Sequence, residues 1–322
     1  MSPVGPSGTE QRYTYDTVVF DLGGVLLTWA PELPYAQVMP AADVPAFLAA
    51  IDFPSWNAAH DAGQAYEVGE QSLIQRFPGD AAAVRAYREH FDRSLTGLVP
   101  GTGAVLAELQ QAGVRLLALT NWSAETFPHA RRRFGLLDRF EAIVVSGEER
   151  LAKPAPAVFE LLLHRHGVDP SRCVFVADAP ANVAAASALG ISAVQFSGAA
   201  ALRGELQARG LLGERPALAE PVFHLTERVE WRLAERAGSY PWSSRGLTYE
   251  RQGFVHCSFG GQVEAVRQRV YPDVDRHDLL LLELRPDPVH HPVVVEDLGA
   301  GEAYPHLYAP MPLEAVQVSD LA

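Results

Sequence analysis

Val18-Val19-Phe20-Asp21-Leu22-Gly23-Gly24-Val25-Leu26-Leu27 decides how the first two-thirds of this chain is read. Apolar residues run into an aspartate, a glycine pair follows, and a second apolar run begins. Such a run predicts a buried strand of a parallel sheet that ends in a tight turn. Asp21 then stands at the carboxyl end of its strand, where open α/β sheets bind their ligands. Glycine lets the backbone turn sharply and leaves main-chain groups open to an ion. Alone, the decapeptide also fits a buried strand whose aspartate only caps the turn. The segments downstream decide between the two.

Working outward, residues 31–98 change character. Residues 33–48 and 82–98 carry helix-compatible apolar spacing, punctuated by Pro and Gly, without a run of alternating strand residues. They predict a helical cap over the end of the first strand. Trp56, Asn57, Asp61 and Glu67 either line its underside, or Trp56 is cap core and the acids are solvated. Pro100-Gly101 marks the return to the sheet. A helix over 102–112 stops at Gly113, and Val114-Arg115-Leu116-Leu117-Ala118-Leu119-Thr120-Asn121 forms the next strand. Ser123 is the expected N-cap of the following helix, and Arg131-Arg132-Arg133 an exposed face. A third strand over 142–146 leads to Lys153-Pro154 and a helix that stops at Gly167. Cys173-Val174-Phe175-Val176-Ala177-Asp178 is a fourth strand, Pro180 opens a helix that Gly190 ends, and 191–196 is a fifth. This alternation predicts an α/β fold with a doubly wound, mostly parallel sheet.

The remainder differs. A helix and a Pro-containing linker over 207–220 lead to residues 221–322, which hold six of the eleven histidines: His224, His256, His277, His290, His291 and His306. Short strands around Phe223, Phe254 and 279–284 alternate with helices over 227–235 and 262–271, an α+β module. His224, His256 and His306 each have a hydroxyl residue two places on (Thr226, Ser258, Tyr308). That pattern suggests a polar pocket for an anionic or nucleotide-like ligand, or histidines simply hydrogen-bonded in the fold. The spacing matches no compact metal-ligand signature.

Composition bounds the rest. A chain of 322 residues is long enough for about two domains, and 48% hydrophobic content supports a sizeable core. A formal charge of -13 argues against nucleic acid or an anionic membrane as the main partner. The two cysteines, Cys173 and Cys257, imply no disulfide framework and fit a reducing compartment. No apolar run approaches the ~18 residues of a membrane span. Residues 1–15 read as a loose tail without a signal-peptide core. A soluble cytoplasmic protein is expected, with its oligomeric state left open.

Asp21, Thr120-Asn121, Lys153 and Asp178 all fall at or just after predicted strand ends, and in a parallel sheet those ends share one edge. Together they form a phosphoryl-transfer kit. A carboxylate can attack phosphorus, Lys153 and a divalent cation offset the substrate's charge, and Thr120 and Asn121 donate to phosphoryl oxygens. Magnesium prefers oxygen ligands, and Asp21, Asp178 and the carbonyl of Gly23 offer three.

In order and spacing these four motifs resemble the haloacid dehalogenase superfamily, over residues 16–206. They are Phe20-Asp21-Leu22-Gly23-Gly24-Val25-Leu26, Leu119-Thr120-Asn121-Trp122, Lys153-Pro154, and Val174-Phe175-Val176-Ala177-Asp178 with Asn182-Val183. The resemblance is to phosphatase-like members with a small helical cap on a Rossmann-like sheet. It implies a magnesium-dependent phosphomonoesterase acting on a small phosphorylated metabolite through an aspartyl-phosphate at Asp21. Two positions depart from the family: Gly23 stands where many members carry a second aspartate as general acid, and Ala177 where an acid often precedes Asp178. Without a donor at Gly23, aryl, acyl or anomeric phosphates should be hydrolysed far better than alkyl phosphates. Metal-free dehalogenation, or binding of a phospho-ligand on behalf of the second module, are the alternatives. Residues 221–320 resemble a small bacterial domain family of unknown function, number 952. The matching pieces are Phe223-His224-Leu225-Thr226, Gly253-Phe254-Val255-His256-Cys257-Ser258 and Tyr304-Pro305-His306-Leu307-Tyr308, with Gln252 and Ala309 departing from its pattern. That resemblance carries an association with the ADP-ribosyltransferase-like fold.

Overall fold

Strand β1 (Thr17–Phe20) is buried along its whole length. It points Val18 and Phe20 into one core and Val19 into another, as the middle of a covered parallel sheet requires. The computed structural model describes residues 15–287, 290–299 and 301–321; all but Tyr15 of the expected tail lies outside them. After Asp21 the chain turns back on itself. Gly24 takes φ +73°, and the N–H groups of Leu26 and Leu27 donate to the carbonyl of Leu22 at 2.8 and 2.9 Å.

That turn feeds β2 (Leu27–Trp29), which pairs antiparallel with β3 (Leu95–Leu98). The two-stranded ribbon carries the chain out to the cap and back. The cap itself is helical: α1 (Val44–Ala50), α2 (Phe53–Asp61), α3 (Tyr66–Arg76) and α4 (Ala81–Glu89). The expected helical reading of residues 95–98 is corrected here. A four-residue segment is too short for its apolar spacing to separate helix from strand, and its partner lies some seventy residues away.

The chain then alternates through α5 (Thr102–Gln111), β4 (Arg115–Thr120), α6 (Phe127–Arg133), β5 (Ala142–Val145), α7 (Ser146–Glu149) and α8 (Pro156–His166). It continues through β6 (Cys173–Ala177), α9 (Pro180–Ala188), β7 (Ser192–Gln195) and α10 (Ala199–Ala208). The sheet order is β5-β4-β1-β6-β7, with every pairing parallel. Helix α6 begins after Thr126, which makes no side-chain cap, and the Ser123 hydroxyl accepts the N–H of Glu125 at 3.2 Å instead.

The second module opens with β8 (Val222–Glu227), α11 (Arg228–Ala237), β9 (Trp242–Ser244), β10 (Leu247–Thr248) and α12 (Tyr249–Gln252). It goes on through β11 (Val255–His256), α13 (Val263–Val270), β12 (Leu279–Leu284), β13 (Val293–Glu296), β14 (Tyr304–Leu307) and β15 (Val316–Asp320). Its strands form two antiparallel three-stranded sheets, β15-β12-β8 and β11-β14-β13, and the two-stranded antiparallel β10-β9.

Small residues on α5 let this module approach closely. Ala104 and Ala107 pack against Phe254, Val294 and Tyr308, and a Cβ on Gly103 would fall 2.7 Å from the Tyr308 ring. Around this seam one hydrophobic core runs from Val18 and Phe20 through Leu106 and Leu136 to Val255, Leu280 and Leu307. Arg133, expected on an exposed face, is a tie at the same seam. It donates to the Glu250 carboxylate at 2.8 and 3.0 Å and to the carbonyls of Asp92 and Leu95 at 3.0 and 2.7 Å. Its run of three arginines shows only which helix face it takes, not the module that folds down upon it.

Candidate active site

The carboxyl ends of β1, β4 and β6 and the loop after β5 bring the four motifs to one sheet edge. Asp21 follows β1, and its N–H is fixed by the carbonyl of Val176 at 2.8 Å. Its carboxylate accepts the N–H of Leu22 at 2.8 Å and meets Lys153 Nζ at 2.6 Å. Lys153 is buried and donates also to the carbonyl of Leu119 at 2.7 Å. Burial pushes the Asp21 carboxyl up and the Lys153 ammonium down, and each charge holds the other back.

Asn121 sets the position of that lysine. Its Oδ1 accepts the Lys153 N–H at 2.9 Å and its Nδ2 donates to the Lys153 carbonyl at 2.8 Å, so the amide clamps the lysine's backbone. Thr120 is buried at the end of β4. Asp178 lies exposed just beyond β6, with its carboxylate so close over Gly24 that a Cβ there would collide with it. A Cβ on Gly23 would meet nothing within 4 Å.

A cavity of about 500 Å³ opens over this edge, with Asp21, Gly23, Asn121 and Asp178 on its floor. The cap supplies the roof: Asn57 and Asp61 from α2, Tyr66 from α3 and Tyr87 from α4. The two readings of the cap residues both hold in part. Trp56 is cap core and Glu67 is exposed, but Asp61 is half-buried: it lines the cavity, and burial pushes its carboxyl up to about 7.

Residues 15–190, which carry all four motifs, match the haloacid dehalogenase-like hydrolase family model. The chain belongs to that family. Residues 225–319 of the hydrolase match DUF952, a protein family of unknown function. Over 210 residues the hydrolase is 30% identical to a phosphoserine phosphatase of Thermus thermophilus, covering 64% of this chain and 80% of that one. It is 35% identical over 121 residues to a ribulose-1,5-bisphosphate 5-phosphatase of Halopiger xanaduensis (37% and 50% covered). It is 41% identical over 75 residues to the N-acylneuraminate-9-phosphatase of Homo sapiens (23% and 30% covered). The last two alignments span half or less of the relative's length.

In the second module, His224, His256, Ser258 and His306 line one cavity of about 260 Å³, with Arg269, Glu296 and Tyr304. His224 has both ring nitrogens engaged, Nδ1 with the carbonyl of His256 and Nε2 with the hydroxyl of Tyr240, each at 2.6 Å. Burial pulls both His224 and His256 down to about 4. Thr226 and Tyr308 do not line it: Thr226 donates to Glu230 at 3.1 Å, and the Tyr308 hydroxyl donates to the lining Glu296 from behind.

Glu296 is the residue that sequence reasoning missed. Arg139 of the hydrolase domain reaches it at 3.2 Å and His306 at 3.1 Å. Burial alone would push its carboxyl up, but the His306 hydrogen bond, the Arg139 charge and the Tyr308 hydroxyl bring it down to about 2. An acid closing the apolar run Val293-Val294-Val295 was the available signal. Among the described residues no three His, Cys, Asp or Glu side chains are grouped to hold a metal ion, and none of the helices is long and apolar enough to cross a membrane.

Proposed function

We propose that the sheet-edge cavity hydrolyses the phosphomonoester of a small metabolite, with Asp21 as nucleophile. The observation that carries this reading is the buried Asp21–Lys153 pair at 2.6 Å, with Asp21 on the floor of a capped cavity. The named phosphatases among the relatives support it. A carboxylate oxygen of Asp21 bonds to phosphorus while the ester oxygen leaves, giving an aspartyl-phosphate; water then attacks that phosphorus and returns the carboxylate. The Lys153 ammonium offsets the dianion's charge, Thr120 donates to a phosphoryl oxygen, and Asn121 holds the lysine's loop in register. A cavity of about 500 Å³ suits a small metabolite.

Magnesium fits the residues present. The donors at this edge are all oxygen, two carboxylates (Asp21, Asp178) and the Gly23 carbonyl, and such a site leaves positions for water and phosphate. Bound there, it would supply further charge to the phosphoryl group. The buried free thiols of Cys173 and Cys257 accord with a cytoplasmic setting.

The test is phosphate release with and without magnesium. Asp21→Asn should abolish it without changing the circular dichroism, and Asp178→Ala should raise the magnesium requirement. Retention of more than a few per cent of turnover by Asp21→Asn would overturn the nucleophile. Halide release without metal would favour dehalogenation, and ligand binding without turnover a carrier of phosphorylated ligands.

A further inference from the structure

Gly23 cannot protonate a leaving group, and an alkoxide is a poor one. The carboxyl groups among the described residues lining the active-site cavity are Asp21, Asp178 and Asp61. Asp21 is the nucleophile and Asp178 stands beside it with the metal donors, which leaves Asp61. Tyr66 and Tyr87 also line the cavity, but burial pushes both phenols far up; they hold their protons. Glu67, in the first turn of α3, is exposed.

The fold fixes Asp61 where the two halves of the site meet. It is the last residue of α2, and its own carbonyl accepts the hydroxyl of Ser146, the first residue of α7, at 2.5 Å. Its carboxylate accepts Asn57 Nδ2 at 2.9 Å and the backbone N–H of Ser123. A cap acid is thus anchored to the loops after β4 and β5, the same loops that carry Asn121 and Lys153. The space beside Gly23 is open, so no side chain there separates the leaving group from the cap.

We propose that Asp61 is the proton donor to the leaving oxygen, taking from the cap the role that Gly23 leaves vacant. The inference rests on the phosphatase reading above. As Asp21 bonds to phosphorus, the P–O ester bond breaks and the Asp61 carboxyl proton passes to the departing oxygen. An alcohol leaves, and Asp61 is a carboxylate beside the aspartyl-phosphate. In the second step Asp61 takes a proton from the water that bonds to phosphorus, and the Asp21 carboxylate departs. Inorganic phosphate is released and Asp61 is protonated again. Burial raises Asp61 to about 7, with the Ser123 N–H and the Lys153 charge opposing. An acid near 7 can both give and take a proton at neutral pH. The titratable groups facing it are Lys153, from the loop after β5, and the phenols of Tyr66 and Tyr87 on α3 and α4.

The sequence-based expectation for leaving groups then reverses: alkyl phosphates are turned over as well as activated ones. The experiment measures rates across phosphate esters of graded leaving-group pKa, for the wild type, Asp61→Asn and Asp61→Ala. The wild type should give a shallow series. Asp61→Asn should lose about 10²–10⁴-fold on alkyl phosphates and far less in the first step with nitrophenyl phosphate. Because the variant lacks the base for the second step, it should show a burst of one nitrophenol per enzyme. Intact mass should then find the phosphoryl group retained on Asp21. Added acetate should restore alkyl-phosphate turnover to Asp61→Ala. A steep wild-type series overturns the proposal without any variant. So does an Asp61→Asn series parallel to an active wild type, with no phosphoenzyme retained. A wild type that releases phosphate from no ester overturns the phosphatase reading itself, which separates the two failures.

Discussion

At Gly24 the site leaves no room for even a methyl group. Its φ of +73° disfavours any other residue, and a Cβ would collide with Oδ2 of Asp178. Gly24→Ala should therefore cost about 1–2 kcal/mol of stability from the backbone alone and push Asp178 off its position. We expect a raised magnesium requirement, measured by titrating the metal against phosphate release. Gly23→Ala is the control, since a Cβ there meets nothing within 4 Å. Equal magnesium curves for the two variants would mean that Asp178 is not held by this contact. The neighbouring glycines look alike in the sequence, and only the fold separates the crowded one from the open one.

Among the elements, β13 and β14 carry the charge cluster that ties the module down. Arg139→Met would leave Glu296 buried without its cation, a loss of about 3–5 kcal/mol, seen as a lower denaturant midpoint. Acid should act on the same module. His224 and His256 lie at about 4 and Glu296 at about 2, each below its unfolded value. Between those values the unfolded chain binds more protons than the folded one, so stability rises with pH. It should fall as pH drops from about 6.5 to 4 through the histidines, and further towards 2 through Glu296. Each tenfold difference in proton affinity between the folded and unfolded chain is worth about 1.4 kcal/mol. Because the raised carboxyls of Asp21 and Asp61 act in the opposite sense, the test uses Asp21→Asn/Asp61→Asn, in which a thermal midpoint that stays level from pH 7 to 4.5 would contradict this. The sheet's strands could be read because each ends an apolar run at a polar residue, and parallel pairing brings those ends together. The roles of Asp61, Arg133, Arg139 and Glu296 could not. The contacts that define them reach across 85 to 157 residues of chain, to partners that no local spacing describes.

On the scale of the whole molecule, the connection between the modules predicts two pieces, whereas the shared core predicts one cooperative unit. Asp21, Asp61, Lys153 and Asp178 all precede residue 206, so a 1–206 fragment keeps every group of the proposed reaction. It also bares Gly103, Ala104, Ala107 and Leu136 and leaves Arg139 without Glu296. We expect the fragment to hydrolyse phosphate esters with the rate constant of the full chain but to melt earlier and self-associate. Differential scanning calorimetry and light scattering measure both. An unchanged melting midpoint would show that the seam adds no stability.

The strip of small residues on α5 also has a consequence in time. The ribosome makes Gly103 some two hundred residues before Tyr308, the ring that covers it. At about 5–20 residues per second, the first module waits roughly 10–40 s with that strip bare. The order in which the chain is written thus sets an interval during synthesis when a finished enzyme face is open to the wrong neighbour.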